Sequence, residues 1–214
     1  MARQPRHGAR SAEIAAVAAR ALADGDARDF QDARERAARE LGVVLGRDAP
    51  DNRAIHAALV DYLGLFRRAA QEQRITRLRR AALAGLELFA PFAARLCGPV
   101  WYGTAAEHDP IQLHLTSDEP EAVTRFLLER RIPYHLGESL LRYPGQVAPH
   151  RTPCFEIELD GELFELSVFP ASGPWRQPLS SLDERPVRRV GRRELAELLD
   201  TGTLFAETPD GRGW

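Results

Sequence analysis

The sequence contains no lysine: all 29 basic residues of this 214-residue chain are arginine. A phosphate-binding loop of the Walker A type requires a lysine, so that class of nucleotide site is excluded. Enzymes that form a Schiff base on lysine, including those that use pyridoxal phosphate, are excluded for the same reason. A protein-kinase fold is also excluded, because its strand lysine is missing. Recognition of phosphate or carboxylate by a side-chain cation therefore depends on arginine, whose planar guanidinium is permanently charged.

Cysteine is scarce as well, and neither of the two, Cys97 and Cys154, lies in a C-x-x-C or zinc-finger spacing. This usage predicts two buried thiols in a reducing compartment. The basic N-terminus lacks the apolar core of a signal peptide. The longest apolar stretch, residues 81–100, is interrupted by charged residues and a proline, so it predicts no membrane span. We therefore expect a cytoplasmic protein without membrane contacts.

The composition changes near the middle of the chain. Residues 1–100 hold 25 of the 32 alanines and carry a net charge of +5, whereas residues 101–214 carry −7. Alanine favours helices, and the second half is richer in the β-branched and aromatic residues that favour strands. The sequence therefore predicts an α+β fold, with an N-terminal helical bundle over residues 1–98. A mixed sheet flanked by helices is predicted over residues 99–214.

Apolar residues at helical spacing predict four helices in the first region. These helices cover residues 11–24, 29–41, 50–66 and 72–90, and a short helical turn is expected at 92–96. In the second region, strands are predicted at 100–102, 111–116, 132–135 and 139–143. A loop is predicted at 144–153, and a hairpin around Asp160-Gly161 joins strands 154–159 and 162–169. Helices are predicted at 117–131 and 191–199.

The order of elements around Gly103-Thr104 resembles the nucleotidyltransferase fold of the polymerase-β type. In that superfamily a helix leads into a short strand that ends in Gly-Ser. About ten residues later a second strand carries a D-x-D pair, and a later strand supplies a third carboxylate. In this chain the three features correspond to Gly103-Thr104, to Gln112 and His114, and to Glu165. The resemblance covers about residues 80–170. It implies that Gly103, Thr104, Gln112 and His114 bind a ligand and that His114 and Glu165 are the candidate catalytic residues.

The chain departs from that pattern at two of the three carboxylates, which are Gln112 and His114 here. Mg²⁺ prefers anionic oxygen ligands, so ordinary two-metal phosphoryl transfer is expected to be lost. The resemblance thus predicts a degenerate nucleotidyltransferase-fold protein that binds a nucleotide or a protein partner. It assigns no cofactor, and Mg²⁺ binding stays open. A second hypothesis retains metal-dependent transfer through Glu156, Glu158 or Glu165 together with His114.

The whole chain is also similar to a family of proteobacterial proteins. The similarity is carried by residues 13–42 and 98–115, which include Gly98-Pro99-Val100 and Ile111-Gln112-Leu113. Some members carry the name UDP-N-acetylmuramate–alanine ligase. Such ligases need a phosphate loop with a lysine and a far longer chain, so this sequence does not support that activity.

Alternation along the strands collects polar residues on one sheet side: Gln112, His114, Glu156, Glu158, Glu165 and Ser167. A ligand site is one interpretation, but a solvated side of an antiparallel sheet produces the same alternation and is the favoured alternative. Four histidines lie between residues 108 and 150 without zinc spacing. His108-Asp109 offers a general base in a loop, although a turn is the commoner role. Cys154 is expected to be an inert thiol.

A run of arginines lies on the predicted fourth helix and just before it: Arg67, Arg68, Arg74, Arg77, Arg79 and Arg80. Such a run could bind nucleic acid or a polyphosphate, which gives a third hypothesis, an interaction module. No aromatic residue interleaves the run, and nucleic-acid binding is the weaker expectation. The alternatives are a solvated helix surface and an interface with the acidic second half.

Overall fold

A computed structural model of the chain describes residues 5–47 and 49–206. Its first part is helical, as predicted, and contains α1 (Pro5–Ala23), α2 (Phe30–Glu40), α3 (Asn52–Phe66) and α4 (Arg68–Leu88). Two of these helices begin at an aspartate N-cap. Asp29 accepts the backbone N–H of Asp32, and Asp51 accepts that of Ala54, each at 2.8 Å. Such caps satisfy amides that have no partner within the helix.

Helices α1, α2 and α3 pack together around small side chains. Ala18, Ala33 and Ala37 are fully buried and let the helix backbones approach one another, and Ile55 of α3 fills the centre of this cluster. The alanine-rich composition of the first half therefore becomes a compact helical layer.

A mixed five-stranded sheet follows in the order β1-β2-β5-β4-β3. Its strands are β1 (Arg95–Cys97), β2 (Ile111–Thr116), β3 (Tyr134–Leu141), β4 (His150–Leu159) and β5 (Glu162–Phe169). The central pair, β2 and β5, is parallel, and the other pairs are antiparallel. Together with helices α5 (Pro99–Tyr102), α6 (Pro120–Glu129) and α7 (Arg192–Asp200), this sheet confirms the α+β class.

The apolar side of the sheet carries the main core. Leu113 of β2 and Phe164 of β5 are buried there against α4, and α6 and α7 contribute further core residues. Gly85 of α4 makes the closest approach, since a Cβ at this position would lie 2.6 Å from Cε1 of Phe164. The opposite side of the sheet is therefore left to the polar residues.

Several predicted elements need correction. Residues 100–102 form α5 and not a strand, because Gly98 adopts a φ of +74° and Pro99 occupies the first helical position. Residues 95–97 form a strand and not part of the helical turn predicted at 92–96. The predicted helical region, residues 1–98, therefore includes the first strand of the sheet. The predicted strands 132–135 and 139–143 merge into β3, and β4 begins at His150, inside the predicted loop.

Residues 178–190 form a segment that runs from one edge of the sheet to the other, which we call the strap. The N–H of Leu179 donates to Arg142 O just beyond β3, at 2.7 Å, and Val190 exchanges two backbone hydrogen bonds of 2.9 Å with Leu96 of β1. Midway, Asn52 of α3 donates to Ser181 O at 2.6 Å. The strap thereby links both edge strands to the helical layer.

None of the helices in residues 5–47 and 49–206 has the length and apolar content needed to cross a bilayer.

Candidate functional site

Strand register aligns the polar candidates in two rows across the sheet. In the first row Cys97 pairs with Gln112, Gln112 with Glu165, and Glu165 with Glu156. In the second row the partners are Arg95, His114, Ser167 and Cys154. Because paired residues project to the same side, Gln112, His114 and Glu165 share one surface, as the alternation predicts.

This surface forms part of a cleft of about 650 Å³. Gln112, His114, Glu165 and Ser167 line its sheet side, and α1, α3, the turn after α5 and the strap line the rest. Thr104 belongs to the same lining and is almost fully buried. The volume lies in the range of sites for small molecules. Gln112, His114 and Glu165 are partly buried, whereas Glu156 and Glu158 on the same side of the sheet are exposed.

Gly103 has a structural role beside the cleft. Its φ is +83°, and a Cβ here would lie 2.1 Å from the carbonyl oxygen of Leu204. The amides of Gly103 and Thr104 both donate to Pro99 O. They are therefore not free to hold a phosphate, and the Gly103-Thr104 turn contributes only the side chain of Thr104 to the cleft.

A second glycine, Gly98, allows the side chain of Gln112 to approach the backbone closely. A Cβ on Gly98, whose φ is +74°, would lie 2.1 Å from Oε1 of Gln112. The amide of Gln112 therefore packs directly against the backbone of residue 98, at the entry to α5. Two close approaches, at Gly98 and Gly103, thus shape the turn that the sequence marks with Gly-Thr.

Glu165 is the one carboxylate among the three positions that correspond to metal ligands in the resembled fold. It is partly buried, and burial raises its pKa, with a further rise from the neighbouring negative charge of Glu156. Glu156 itself is exposed. Both influences disfavour the charged form of Glu165 relative to a carboxylate in water.

His114 is held as a neutral acceptor. Its Nδ1 accepts a hydrogen bond of 2.8 Å from Nε of Arg189, and its ring lies 4.4 Å from that of Phe169. Burial and the positive charge of Arg189 lower its pKa to about 3. An imidazole in this state is a poor general base at neutral pH.

These residues do not fit a two-metal site. Gln112 and His114 are uncharged, and the raised pKa of Glu165 weakens the remaining anionic donor. In the described part of the chain no group of three or more His, Cys, Asp or Glu side chains is arranged to hold a metal ion. Metal-bridged phosphoryl transfer at this surface therefore lacks its ligands.

A histidine that sequence reasoning passed over lies on the helical side of the cleft. His56 of α3 lines the cleft, is 4% exposed, and packs edge-to-face on Tyr102 at 5.6 Å. Its Nε2 is buried and has no hydrogen-bond partner among the described residues. Burial lowers its pKa to about 4. The signal in the sequence was an imidazole inside the apolar stripe of α3, beside Ile55 and Leu59.

The remaining nucleophile and base candidates have ordinary structural roles. Cys154 is buried, and burial raises the pKa of its thiol to about 11, so the reactive thiolate is scarce. Cys97 is also a free, buried thiol. His108 is exposed in a turn, and Asp109 accepts the N–H of Ala106 at 2.8 Å within that turn.

The arginine run divides into surface ion pairs and one buried residue. Ion pairs join Arg67 to Asp24 and Arg68 to Glu72, while Arg74 and Arg77 reach Glu107 and Glu162 in the second half of the chain. These contacts favour the interface interpretation over nucleic-acid binding. Arg67 also lies between α3 and α4 and not on the same helix as the others.

Arg79 is a buried connector. It is 3% exposed and donates to the carbonyl oxygens of Val100, Trp101, Thr203 and Leu204 at 2.6–3.2 Å. Burial lowers its pKa to about 10, so the guanidinium stays charged at neutral pH. Its position four residues after Ile75 and three before Ala82, in the apolar stripe of α4, was the signal for its burial.

Acid should unfold this protein through its buried histidines. His56 and His114 are neutral in the fold, but they bind protons in the unfolded chain near the ordinary pKa of 6.5. The stability that depends on their neutral forms is therefore complete above pH 6.5, and it decreases as the pH falls toward 4 for His56 and toward 3 for His114. Urea unfolding at pH 7.0, 5.5 and 4.5 measures this decrease.

The variant His56→Gln should flatten that pH dependence, whereas His135→Gln, at an exposed histidine of β3, should leave it unchanged. Equal pH dependence in the two variants would show that His56 is not held neutral.

We find no protein-family model, curated protein or solved structure that matches this chain.

Proposed function

We propose that this protein binds a nucleotide in the cleft and does not perform two-metal nucleotidyl transfer. The observation that carries the proposal is the first polar row, in which Gln112 pairs with Glu165 on the cleft surface beside Thr104. The neighbouring strands of Gln112 and Glu165 are what the resembled nucleotidyltransferase fold implies, whereas Gly103-Thr104 follows a helix and not the short strand of that fold. The two side chains that could act as metal ligands, however, are the amide of Gln112 and the carboxyl group of Glu165, whose pKa is raised.

The lining of the cleft suits a ligand with both uncharged polar and anionic parts. Neutral His56, Gln112 and Thr104 offer hydrogen bonds to a base or a sugar hydroxyl without introducing charge. Arg28, Arg142 and Arg188 line the same cleft and add positive charge, although each lies within ion-pair distance of a carboxylate, on Asp32, Glu184 and Glu194 respectively. A nucleotide combines these chemistries in one molecule.

The test is calorimetric titration of the four nucleoside triphosphates, each with Mg²⁺ and with EDTA. We expect at least one to bind with an affinity that Mg²⁺ does not raise, because the site lacks metal ligands. Glu165→Gln should retain binding, since a carboxyl group near phosphate contributes no attraction. Thr104→Val, which keeps the side-chain volume, should weaken binding about fivefold to tenfold through loss of one hydrogen bond.

An assay for pyrophosphate release separates the proposal from the active-enzyme hypothesis. Release that requires Mg²⁺ or Mn²⁺ and is abolished by Glu165→Gln would contradict the proposal and establish metal-dependent transfer. Absence of binding by every nucleotide, with and without metal, would contradict both readings of the cleft.

A further inference from the structure

Arg189 of the strap carries a positive charge without a counter-charge. It is partly buried, its guanidinium carbon lies 4.5 Å from the centre of the Phe169 ring, and its Nε donates to Nδ1 of His114. Its Nη2 is buried and has no hydrogen-bond partner. A buried cationic donor in this condition is costly unless an acceptor, preferably an anion, satisfies it.

Two further arginines bring positive charge to the same place. Burial lowers the pKa of Arg189, Cys97 and Tyr143 act in the opposite direction, and the charges of Arg176 and Arg95 make smaller contributions that lower it. Both of these side chains are exposed, and Arg95 is the register partner of His114. Within residues 5–47 and 49–206, no carboxylate forms an ion pair with Arg95, Arg176 or Arg189.

Arg79 provides the contrast within the same chain. Its guanidinium is more deeply buried, yet four backbone carbonyl oxygens accept its N–H groups. Arg79 therefore has the hydrogen bonding of a structural arginine. Arg189 has one hydrogen-bond acceptor, an uncharged imidazole, and its buried Nη2 has none, so its charge lacks the compensation that Arg79 receives.

We propose that Arg189, with Arg95 and Arg176, binds a phosphate group beside His114, next to the cleft that His114 lines. Resting on the proposed function, this site takes the phosphates of the nucleotide in place of the Gly103-Thr104 turn, whose amides are already bonded. His114 acts as a positioning residue. Its neutral Nδ1 accepts the hydrogen bond from Nε of Arg189, so the two Nη groups of that guanidinium are left to bind the anion. Free pyrophosphate presents the same chemistry as the phosphates of a nucleotide.

The experiment is calorimetric titration of the full chain with pyrophosphate, ATP and adenosine at constant ionic strength. Pyrophosphate and ATP should both bind, with an affinity that falls as salt is raised. Arg189→Gln should weaken both about tenfold to a hundredfold, and Arg95→Gln and Arg176→Gln should each weaken both less. Arg125→Gln, which removes an exposed arginine of α6 that pairs with Glu119, should bind like the parent protein.

Arg95 and Arg176 are exposed, so their variants keep the test decisive if Arg189→Gln fails to fold. ATP binding that all three variants leave unchanged would overturn the arginine site while the proposed function stands. Pyrophosphate binding that depends on the arginines, with no gain from the nucleoside, would support the site and overturn nucleotide binding. Absence of binding by pyrophosphate and ATP would overturn both.

Discussion

The Arg79→Met variant should lose at least about 3 kcal/mol of unfolding free energy, because four carbonyl oxygens, three of them in buried hydrogen bonds, lose a charged donor. Methionine keeps most of the volume of the side chain, so the loss reports hydrogen bonding more than packing. Urea denaturation monitored by circular dichroism measures it. The Arg79→Lys variant should recover only part of the loss, since one ammonium cannot reproduce the fork that reaches both α5 and residues 203–204.

The neighbouring residue supplies the control. Arg80 follows Arg79 on α4 but is exposed, so Arg80→Met should change stability by no more than about 0.5 kcal/mol. Similar losses in the two methionine variants would mean that the four carbonyl contacts do not hold in solution.

Gly103→Ala should destabilise the fold by about 3 kcal/mol, from the left-handed backbone and from the contact with Leu204 together. The φ of +83° disfavours any side chain, and the added Cβ would meet backbone atoms that cannot rotate away. Thermal and urea unfolding measure the change.

Gly25→Ala is the matched variant for Gly103→Ala. Gly25 has a φ of +75°, but nothing lies within 4 Å of its added Cβ, so only the conformational cost of about 1 kcal/mol applies. The difference between the two alanine variants isolates the close approach of residue 103 to Leu204. Equal losses of stability in the two variants would mean that the backbone of Leu204 does not lie against residue 103 in solution.

Local patterns predicted the elements whose signals lie within a few residues. The alternation of residues 111–116 and the turn at Asp160-Gly161 each correspond to an observed element. Residues 100–102 misled the prediction because apolar and aromatic residues suit a strand. The backbone at Gly98 and Pro99 instead starts a helical turn, in which Val100 and Trp101 are buried.

The site was only partly accessible from the sequence, because much of it comes from distant pairing. Alternation placed Gln112 and His114 on one side of a strand, but only the register of β2 with β5 brings Glu165 beside Gln112. Arg189 reaches His114 across 75 positions, from a segment without a regular pattern. No local signal distinguishes it from the exposed Arg188, so the candidate phosphate site depends on the path of the strap.

The hydrogen bonds of Arg79 have a consequence for the folding of this chain, because they join residues that are synthesised far apart in time. Two of its acceptors, Thr203 and Leu204, follow it by 124 and 125 positions. During synthesis α4 leaves the ribosome long before those residues exist, so its guanidinium must stay hydrated and the core beneath it incomplete. We therefore expect the hydrogen bonding of Arg79 to be completed late, after residue 204 has been synthesised.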